Sequence, residues 1–277
     1  MMGRKYFIFV CALVLAFGAF AVTANAQVHG EQKEAPKDVR SRLFKQALAD
    51  SGERECIEQE EGGVRAAEEK MSVEEVDLNR DGVSEYEVEL SGSCACGMVN
   101  CSIYLYRQTP GGFELILDGA AGFGFEVLKT STNGYFDLRV TARNNAATQD
   151  RTTYKFDGKQ YREADTRLVQ MQTGESKPAS RRVQFKRGTS STTLQGRASL
   201  RLPDTYIVGA RAGQVMTVTL TTPSRSVTFM LMTARTTTSL ADNTKSWSGT
   251  LPETGDYLII VEGDEKGGTY SITISIR

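Results

Sequence analysis

Apolar residues follow two different periods along this chain. Residues 38–48, DVRSRLFKQAL, carry apolar side chains at intervals of three and four, which predicts an amphipathic helix. From Val76 onward the period shortens to two. In EYEVEL, residues 85–90, one face carries Tyr, Val and Leu and the other carries three glutamates, which is typical of a strand with one buried face.

The alternating pattern continues through a series of strands joined by tight turns. SIYLYR and FELIL flank a Pro-Gly-Gly turn, and TTYKF and KQYRE flank Asp157-Gly158, so both pairs predict hairpins. Together with the helix, these strands predict a small, disulfide-stapled α+β domain with an antiparallel sheet over residues 38–162. Residues 163–180 are polar without a sustained period and are interpreted as a linker, with continuation of a strand through Leu168-Val169 as the alternative.

Residues 181–277 predict an all-β domain. Short alternating segments follow one another with Gly and Pro turns between them, among them QVMTVTL, DYLIIVE and TYSITISI. Such a series is typical of a β-sandwich or jelly roll. The predicted fold class is therefore mainly β, with a small α+β antiparallel domain followed by a jelly-roll-like β-sandwich.

The N-terminus has the pattern of a secretory signal peptide. An Arg-Lys pair precedes an almost continuous apolar run, and Ala-Asn-Ala at residues 24–26 supplies the small residues of a cleavage site. Residues 1–26 are therefore interpreted as a signal peptide, and the polar residues 27–37 as a disordered segment. No other stretch is long and apolar enough to predict a membrane span. The mature protein is expected to be secreted or periplasmic.

The two predicted domains differ in charge. Residues 27–180 contain 19 Lys and Arg against 27 Asp and Glu, a net charge of −8, whereas residues 181–277 contain 12 against 7, a net charge of +5. This asymmetry supports two domains with different surfaces. A net charge of +5 is too small to predict a nucleic-acid partner.

Four cysteines follow the signal peptide, and they are Cys56, Cys94, Cys96 and Cys101. In an exported chain an even number predicts two disulfides, for which three pairings exist. The favoured pairing joins Cys96 to Cys101 across the loop CGMVNC, and Cys56 to Cys94, which ties the upstream segment to the sheet. The rival interpretation is a thiolate metal site, which an oxidising compartment disfavours.

One loop has the spacing of a calcium-binding site. The candidate ligands are Asp77, Asn79, Asp81 and Glu85, with Gly82 at the position of the sharp turn. The position that should hold a bidentate glutamate is Val88, and a strand follows in place of a helix. The alternative is an Asp/Asn/Gly turn whose side chains cap the backbone. No other cofactor is predicted.

Histidine-dependent catalysis is not expected. The single histidine, His29, lies three residues beyond the predicted cleavage site, so Ser-His-Asp and Cys-His arrangements and histidine-ligated zinc are excluded. Gly122-Phe123-Gly124 lacks the Gly and Lys of a phosphate-binding loop. No spacing singles out a pair of catalytic carboxylates. The protein is interpreted as non-enzymatic.

The single tryptophan is a candidate for binding sugar. Trp247 lies in SWSGTL and alternates with two serines. An exposed indole beside Tyr257 would form a stacking platform for a glycan. The alternative is that Trp247 packs in the core of the predicted sandwich.

Segments of residues 181–277 resemble two related exported modules. The order DTY, ARAGQVMTVTL, SWSGTLPETGDYLIIV and GGTYSITISI is similar to the bacterial pre-peptidase C-terminal domain, a jelly-roll sandwich of secreted proteins, and to the periplasmic inhibitors of goose-type lysozyme. RVQFKRGTSSTTLQGR, residues 182–197, also resembles the opening of those inhibitors. The strongest pieces, ARAGQ and SGTLPETGDY, have structural reasons and therefore indicate the fold.

The resemblance implies a protein that blocks lysozyme by inserting a loop into its substrate cleft. In the inhibitors that loop follows the strand matching residues 256–261 and carries arginines. Here the loop is GDEKGG, so Asp264, Glu265 and Lys266 are the candidate contacts, and Lys266 is its sole cation. The predicted function is a non-enzymatic binding protein of the bacterial envelope with a lysozyme as partner. The alternatives are a module that binds cell-wall glycan or peptidoglycan, and a structural envelope protein.

Overall fold

The computed structural model describes residues 33–60 and 62–277. The predicted signal peptide, the candidate disordered residues 27–32 and His29 lie outside these ranges. Three helices stand near the start of the described chain, α1 Lys37–Asp50, α2 Arg54–Gln59 and α3 Gly63–Lys70. None of the helices in the described ranges is long and apolar enough to cross a membrane. Most of the remaining structure is antiparallel sheet, so the mainly β fold class is confirmed.

Helix α1 confirms the helix predicted from the spacing of apolar residues. Its Leu43, Phe44 and Leu48 are buried against the first sheet. The helix begins one residue earlier than expected and is preceded by Pro36. Asp38 lies in the first turn, where its negative charge interacts favourably with the helix dipole.

Residues 33–178 form two five-stranded antiparallel sheets and are termed the N-terminal lobe. The first sheet has the order β1-β2-β3-β4-β5 and consists of β1 Lys33–Glu34, β2 Ser72–Val76, β3 Glu85–Glu89, β4 Cys101–Thr109 and β5 Gly112–Gly122. The second sheet has the order β10-β9-β8-β7-β6 and consists of β6 Phe125–Thr132, β7 Tyr135–Arg143, β8 Thr148–Phe156, β9 Tyr161–Gln170 and β10 Ser176–Pro178.

The N-terminal lobe has three layers, with the first sheet in the middle. One face of that sheet packs Val88 and Tyr104 against helix α1, and the other packs Leu105 against the second sheet. The glutamates of EYEVEL alternate with apolar residues as predicted, but they face the second sheet instead of solvent. Glu85 is only 3% exposed and Glu87 only 8%.

The N-terminal segment is ordered where the sequence predicted disorder. Lys33 and Glu34 pair with β2, and the N–H of Ala35 donates to the carbonyl of Val73 at 3.1 Å. Ala35 is also buried among the residues packed on α1. The expectation of disorder is therefore wrong for residues 33–37, because the short strand and the start of α1 satisfy their backbone groups.

The linker predicted over residues 163–180 is also wrong for most of its length. Residues 163–170 belong to β9, which pairs with β8, and residues 176–178 form β10. The N–H of Ala179 then donates to the carbonyl of Thr166 at 2.8 Å. The polar side chains misled the prediction, because much of β9 is a solvent-exposed strand without an apolar face.

Residues 181–277 form two stacked sheets and confirm the predicted β-sandwich. The third sheet has the order β11-β13-β18-β15-β16 and consists of β11 Arg181–Arg182, β13 Asp204–Ala210, β15 Thr228–Thr233, β16 Ser239–Thr244 and β18 Gly255–Glu262. The fourth sheet has the order β12-β19-β14-β17 and consists of β12 Ser191–Ala198, β14 Val215–Thr221, β17 Ser246–Thr250 and β19 Gly268–Ile276. Their facing apolar residues, such as Val208, Ile259, Val218 and Ile274, make one core.

Both favoured disulfides are present. Cys56 of α2 is bonded to Cys94, and Cys96 is bonded to Cys101 at the start of β4. The first bridge spans 38 residues and holds α2 to the segment that follows β3. Because all four sulfurs are bonded in pairs, the thiolate metal site is not formed.

Lys177 of β10 joins the N-terminal lobe to the sandwich. Its ammonium donates to the carbonyl of Leu202 at 2.6 Å and to that of Arg197 at 3.2 Å. It also lies 3.2 Å from a carboxylate oxygen of Asp204. The contact between the lobes is therefore polar and specific.

Asp204 is the centre of a buried polar cluster. Only 5% exposed, it accepts a hydrogen bond from the Tyr270 hydroxyl at 2.6 Å and pairs with Arg181 at 3.0 Å. The Tyr270 and Tyr206 hydroxyls are 2.7 Å apart. We term Lys177, Arg181, Asp204, Tyr206 and Tyr270 the Asp204 cluster. Burial and the Asp204 carboxylate raise the pKa of Tyr270, so its hydroxyl stays protonated and donates.

Candidate functional site

Residues 263–268, termed the acidic loop, connect β18 to β19 in a compact turn. A carboxylate oxygen of Asp264 accepts the N–H groups of Lys266 at 3.1 Å and Gly267 at 2.9 Å. Gly267 has a φ of +62°, and a side chain there would collide with the carbonyl of Ala198. Asp264 and Gly267 therefore fix the path of the loop, and Asp264 turns its carboxylate toward the backbone.

The acidic loop is docked on the turn between β12 and β13. The N–H of Leu200 donates to the carbonyl of Asp264 at 3.0 Å. The guanidinium of Arg197 donates to the carbonyl of Lys266 at 2.9 Å. Two bonds to a neighbouring segment hold the loop in one conformation.

Arg201 neutralises the second acidic residue of the loop. It makes two parallel hydrogen bonds to the carboxylate of Glu265, at 3.1 and 3.2 Å. Such bidentate pairs are the stronger and more directional kind of ion pair. The sequence predicted one cation here, Lys266, but folding brings Arg197 and Arg201 beside it from more than 60 positions away. Sequence spacing could not reveal them, because Arg197 lies in β12 and Arg201 in the turn that follows it, and only the pairing of β12 with β19 brings them to the loop.

A groove of about 680 Å³ borders the acidic loop and lies between the two lobes. Leu200, Arg201 and Glu265 line it from the sandwich, and Asn145 and Gln172 line it from the N-terminal lobe. Leu200 is 56% exposed there. The loop end of the sandwich is therefore a concave, mixed polar and apolar surface.

Trp247 and Tyr257 do not form the predicted sugar platform. Trp247 is half-buried against the sandwich core, and its indole covers Gly249, where a Cβ would lie 2.7 Å from the ring. Tyr257 is fully buried. Its hydroxyl donates to the carbonyl of Glu253 at 2.6 Å and closes the Pro-Glu-Thr-Gly turn. Tyr257 is therefore a structural residue and cannot contact a partner.

The calcium-like loop has the geometry of a capped turn. Asp77 accepts the N–H groups of Asn79, Arg80 and Gly82, and Asp81 accepts that of Val83 at 2.7 Å. Within the described ranges no three His, Cys, Asp or Glu side chains form a group that could hold a metal ion. These backbone bonds are the ones expected of an Asp/Asn/Gly turn, the alternative interpretation. Calcium binding stays a prediction.

Glu85 is a buried carboxyl group beneath the loop of residues 77–82. It accepts the N–H of Leu78 at 2.8 Å and lies 3.3 Å from the hydroxyl of Tyr135 on the second sheet. Burial, opposed by the bond from Leu78 and assisted by Asp81 and Asp77, raises the pKa of Glu85 to about 7. The charged form is therefore unfavourable in the folded protein.

Replacing Glu85 with glutamine is expected to stabilise the N-terminal lobe at neutral pH by about 2–3 kcal/mol. The amide oxygen still accepts the hydrogen bond from the Leu78 N–H, and the substitution removes the buried charge. Below the ordinary pKa of glutamate, 4.5, Glu85 is protonated in both states and costs nothing. As pH rises from 4.5 to about 7, the unfolded state ionises first, so the stability of the natural protein falls. Urea unfolding of both proteins across this range measures the difference. A stability difference that does not change with pH would contradict the prediction.

Solved structures that resemble this chain include lysozyme inhibitors. PliG from Aeromonas hydrophila, a periplasmic inhibitor of g-type lysozyme, is 27% identical, with a TM-score of 0.33, over 35% of this chain and 96% of its own. PliG from Salmonella Typhimurium is 24% identical, with a TM-score of 0.29 over the same shares. The pre-peptidase C-terminal domain of a Bacillus anthracis collagenase is 14% identical, with a TM-score of 0.27 over 35% of this chain and 94% of its own.

These are the two kinds of protein that the sequence resembled, so the resemblance is confirmed for about a third of the chain. No protein-family model matches the chain, and no curated protein matches it.

Proposed function

We propose that this protein is an exported binding protein that inhibits a goose-type lysozyme through the acidic-loop end of its sandwich. The observation that carries the proposal is the fixed conformation of the acidic loop, held by Asp264 from within and by Leu200 and Arg197 from outside. A loop that is already ordered loses little entropy when it enters a cleft, and this favours tight binding.

The charges around the loop support the same function. A lysozyme cleft presents catalytic carboxylates, which the two acids of the loop alone would repel. Here the Asp264 carboxylate caps the backbone and Glu265 is paired with Arg201. Lys266 is exposed at the tip, and Arg197 flanks it. The inhibitors are expected to carry arginines on the loop itself, whereas here the arginine beside Lys266 is Arg197 of β12.

The mature chain, residues 27–277, should abolish the lysis of cell walls by goose-type lysozyme when present in near-stoichiometric amount. Chicken-type lysozyme, assayed in parallel, measures specificity. Undiminished lysis by the goose-type enzyme at large molar excess would contradict the proposed function. Sedimentation of the same protein with purified peptidoglycan would then test the glycan alternative.

Replacing Lys266 with alanine should weaken inhibition by about tenfold, because it removes the exposed cation at the tip without altering the bonds made by its backbone. The inhibition constant for the goose-type enzyme is the measurement. Arg211→Ala is the matched control, since Arg211 is an exposed cation in the turn after β13, at the opposite end of the sandwich. Equal losses in the two variants would show that net charge, and not the loop, determines binding.

A further inference from the structure

The N-terminal lobe carries two apolar side chains at the corner of an exposed turn. The N–H of Gly97 donates to the carbonyl of Asn100 at 2.8 Å, so Met98 and Val99 occupy the two central positions. Such positions usually hold Gly, Asn, Asp, Ser or Pro. Met98 is fully exposed, and Val99 is 48% exposed.

This turn is anchored on both sides. The disulfide between Cys96 and Cys101 closes it. The side chain of Asn100 then bonds the backbone of Arg143 twice, donating to its carbonyl at 2.9 Å and accepting its N–H at 2.8 Å. Met98 and Val99 are therefore presented on a fixed base, which lowers the entropy cost of burying them against a partner.

Phe123 extends the apolar surface at the same end of the lobe. Cys101 pairs with Gly122 across β4 and β5, and Phe123 follows directly. Its N–H donates to the carbonyl of Thr141 at 3.1 Å, while the residue is 50% exposed. We term Met98, Val99 and Phe123 the apolar tip. Apolar side chains scattered singly over a surface need no explanation, whereas exposed apolar side chains grouped together indicate an interaction site.

A cavity of about 440 Å³ adjoins the apolar tip and is strongly acidic. Phe123 lines it together with Glu74, Glu87 and Glu89. Glu74 lies directly opposite Glu87 on β2 and β3. Burial and the nearby Glu74 carboxylate raise the pKa of Glu89. Arg139 also lines the cavity, and it pairs with Glu126 at 3.1 Å.

We propose that the apolar tip and this cavity form a docking surface for a protein segment in which apolar side chains flank a lysine or arginine. The apolar side chains would pack on the apolar tip, Val99 included, and the cation would enter the cavity beside Glu74 and Glu89. Charge complementarity selects this occupant: residues 27–180 carry a net charge of −8, which attracts a cationic protein and repels an anionic membrane. The proposal does not rest on lysozyme inhibition, which involves the other end of the chain.

Methyl NMR of the methionine-labelled mature protein tests the proposal directly. The probes are acetyl-Leu-Lys-Leu-Lys-amide and its counterparts with Glu or Gln in place of Lys. The Lys peptide should shift the Met98 methyl signal with a dissociation constant on the order of 1 mM, and the Glu peptide should not. Met171, which is 37% exposed in the turn after β9, is the internal control and should not respond.

Two variants separate the contributions of the tip and the cavity. Glu74→Gln keeps the size of the side chain and should weaken binding of the Lys peptide several-fold. Val99→Ser should weaken binding of the Lys peptide and of the Gln peptide to the same extent. The proposal would be overturned if the Lys and Glu peptides shifted the Met98 signal equally, or if Met98 and Met171 responded equally. It would also be overturned if the Lys peptide caused no shift at a concentration about ten times the expected dissociation constant. A larger response of Met98 to phosphatidylglycerol vesicles than to the Lys peptide would overturn it in favour of a lipid surface.

Discussion

Replacing Asp204 with alanine is expected to lower the free energy of unfolding of the sandwich by about 3–5 kcal/mol, the usual cost of breaking a buried ion pair by removing one partner. The Tyr270 hydroxyl would lose its acceptor in the core, and Arg181 and Lys177 would lose their counter-ion. Burial already lowers the pKa of Lys177, so its ammonium is poorly hydrated and depends on Asp204.

The single tryptophan makes this measurement straightforward. Trp247 is half-buried against the sandwich core, so its fluorescence in urea should report unfolding of that domain. Asp256→Ala is the control, because its ion pair with Arg182 is exposed and should contribute less than about 1 kcal/mol. A loss for Asp204→Ala no larger than for the control would show that the cluster does not stabilise the fold.

Removing the bridge between Cys56 and Cys94 by alanine substitution of both should destabilise the N-terminal lobe by about 4 kcal/mol. The bond closes a loop of 38 residues, and the restriction it places on the unfolded chain grows with loop length. Removing the bridge between Cys96 and Cys101, separated by 5 residues, should cost about 2 kcal/mol.

Urea unfolding followed by circular dichroism would compare the two double variants. Each variant should first be shown to have the folded spectrum of the natural protein. A larger loss on removing the short bridge would contradict the loop-length argument, and would indicate that the packing of Cys96 and Cys101 matters more than chain restriction.

The sequence predicted those features that depend on local periodicity. The spacing of Leu43, Phe44 and Leu48 predicted α1, and alternation predicted the strands of the sandwich. Of the three possible pairings of the four cysteines, the one favoured from the sequence is the one present. The structure of each of these segments is determined by its own sequence pattern and by one or two helices or strands next to it.

Features that depend on a third layer could not be predicted in this way. The glutamates of EYEVEL read as a solvated face, yet the second sheet covers them and leaves Glu85 buried. The two arginines beside the acidic loop are distant from it in sequence, Arg197 in β12 and Arg201 in the turn after β12. For Trp247 and Tyr257 the error was in the other direction, because two residues interpreted as exposed candidates for sugar binding pack on the core. Their positions in β17 and β18 point them inward.

The contacts of Lys177 bear on where a fragment that contains the sandwich should begin. A protein expressed from Arg181 onward would contain every strand of the sandwich but would lack the ammonium that bonds Arg197, Leu202 and Asp204. The turn that supports the acidic loop would then lose one of its anchors. We therefore expect a sandwich that is expressed alone or fused to another protein to keep this anchor when residues 176–178 are included with it.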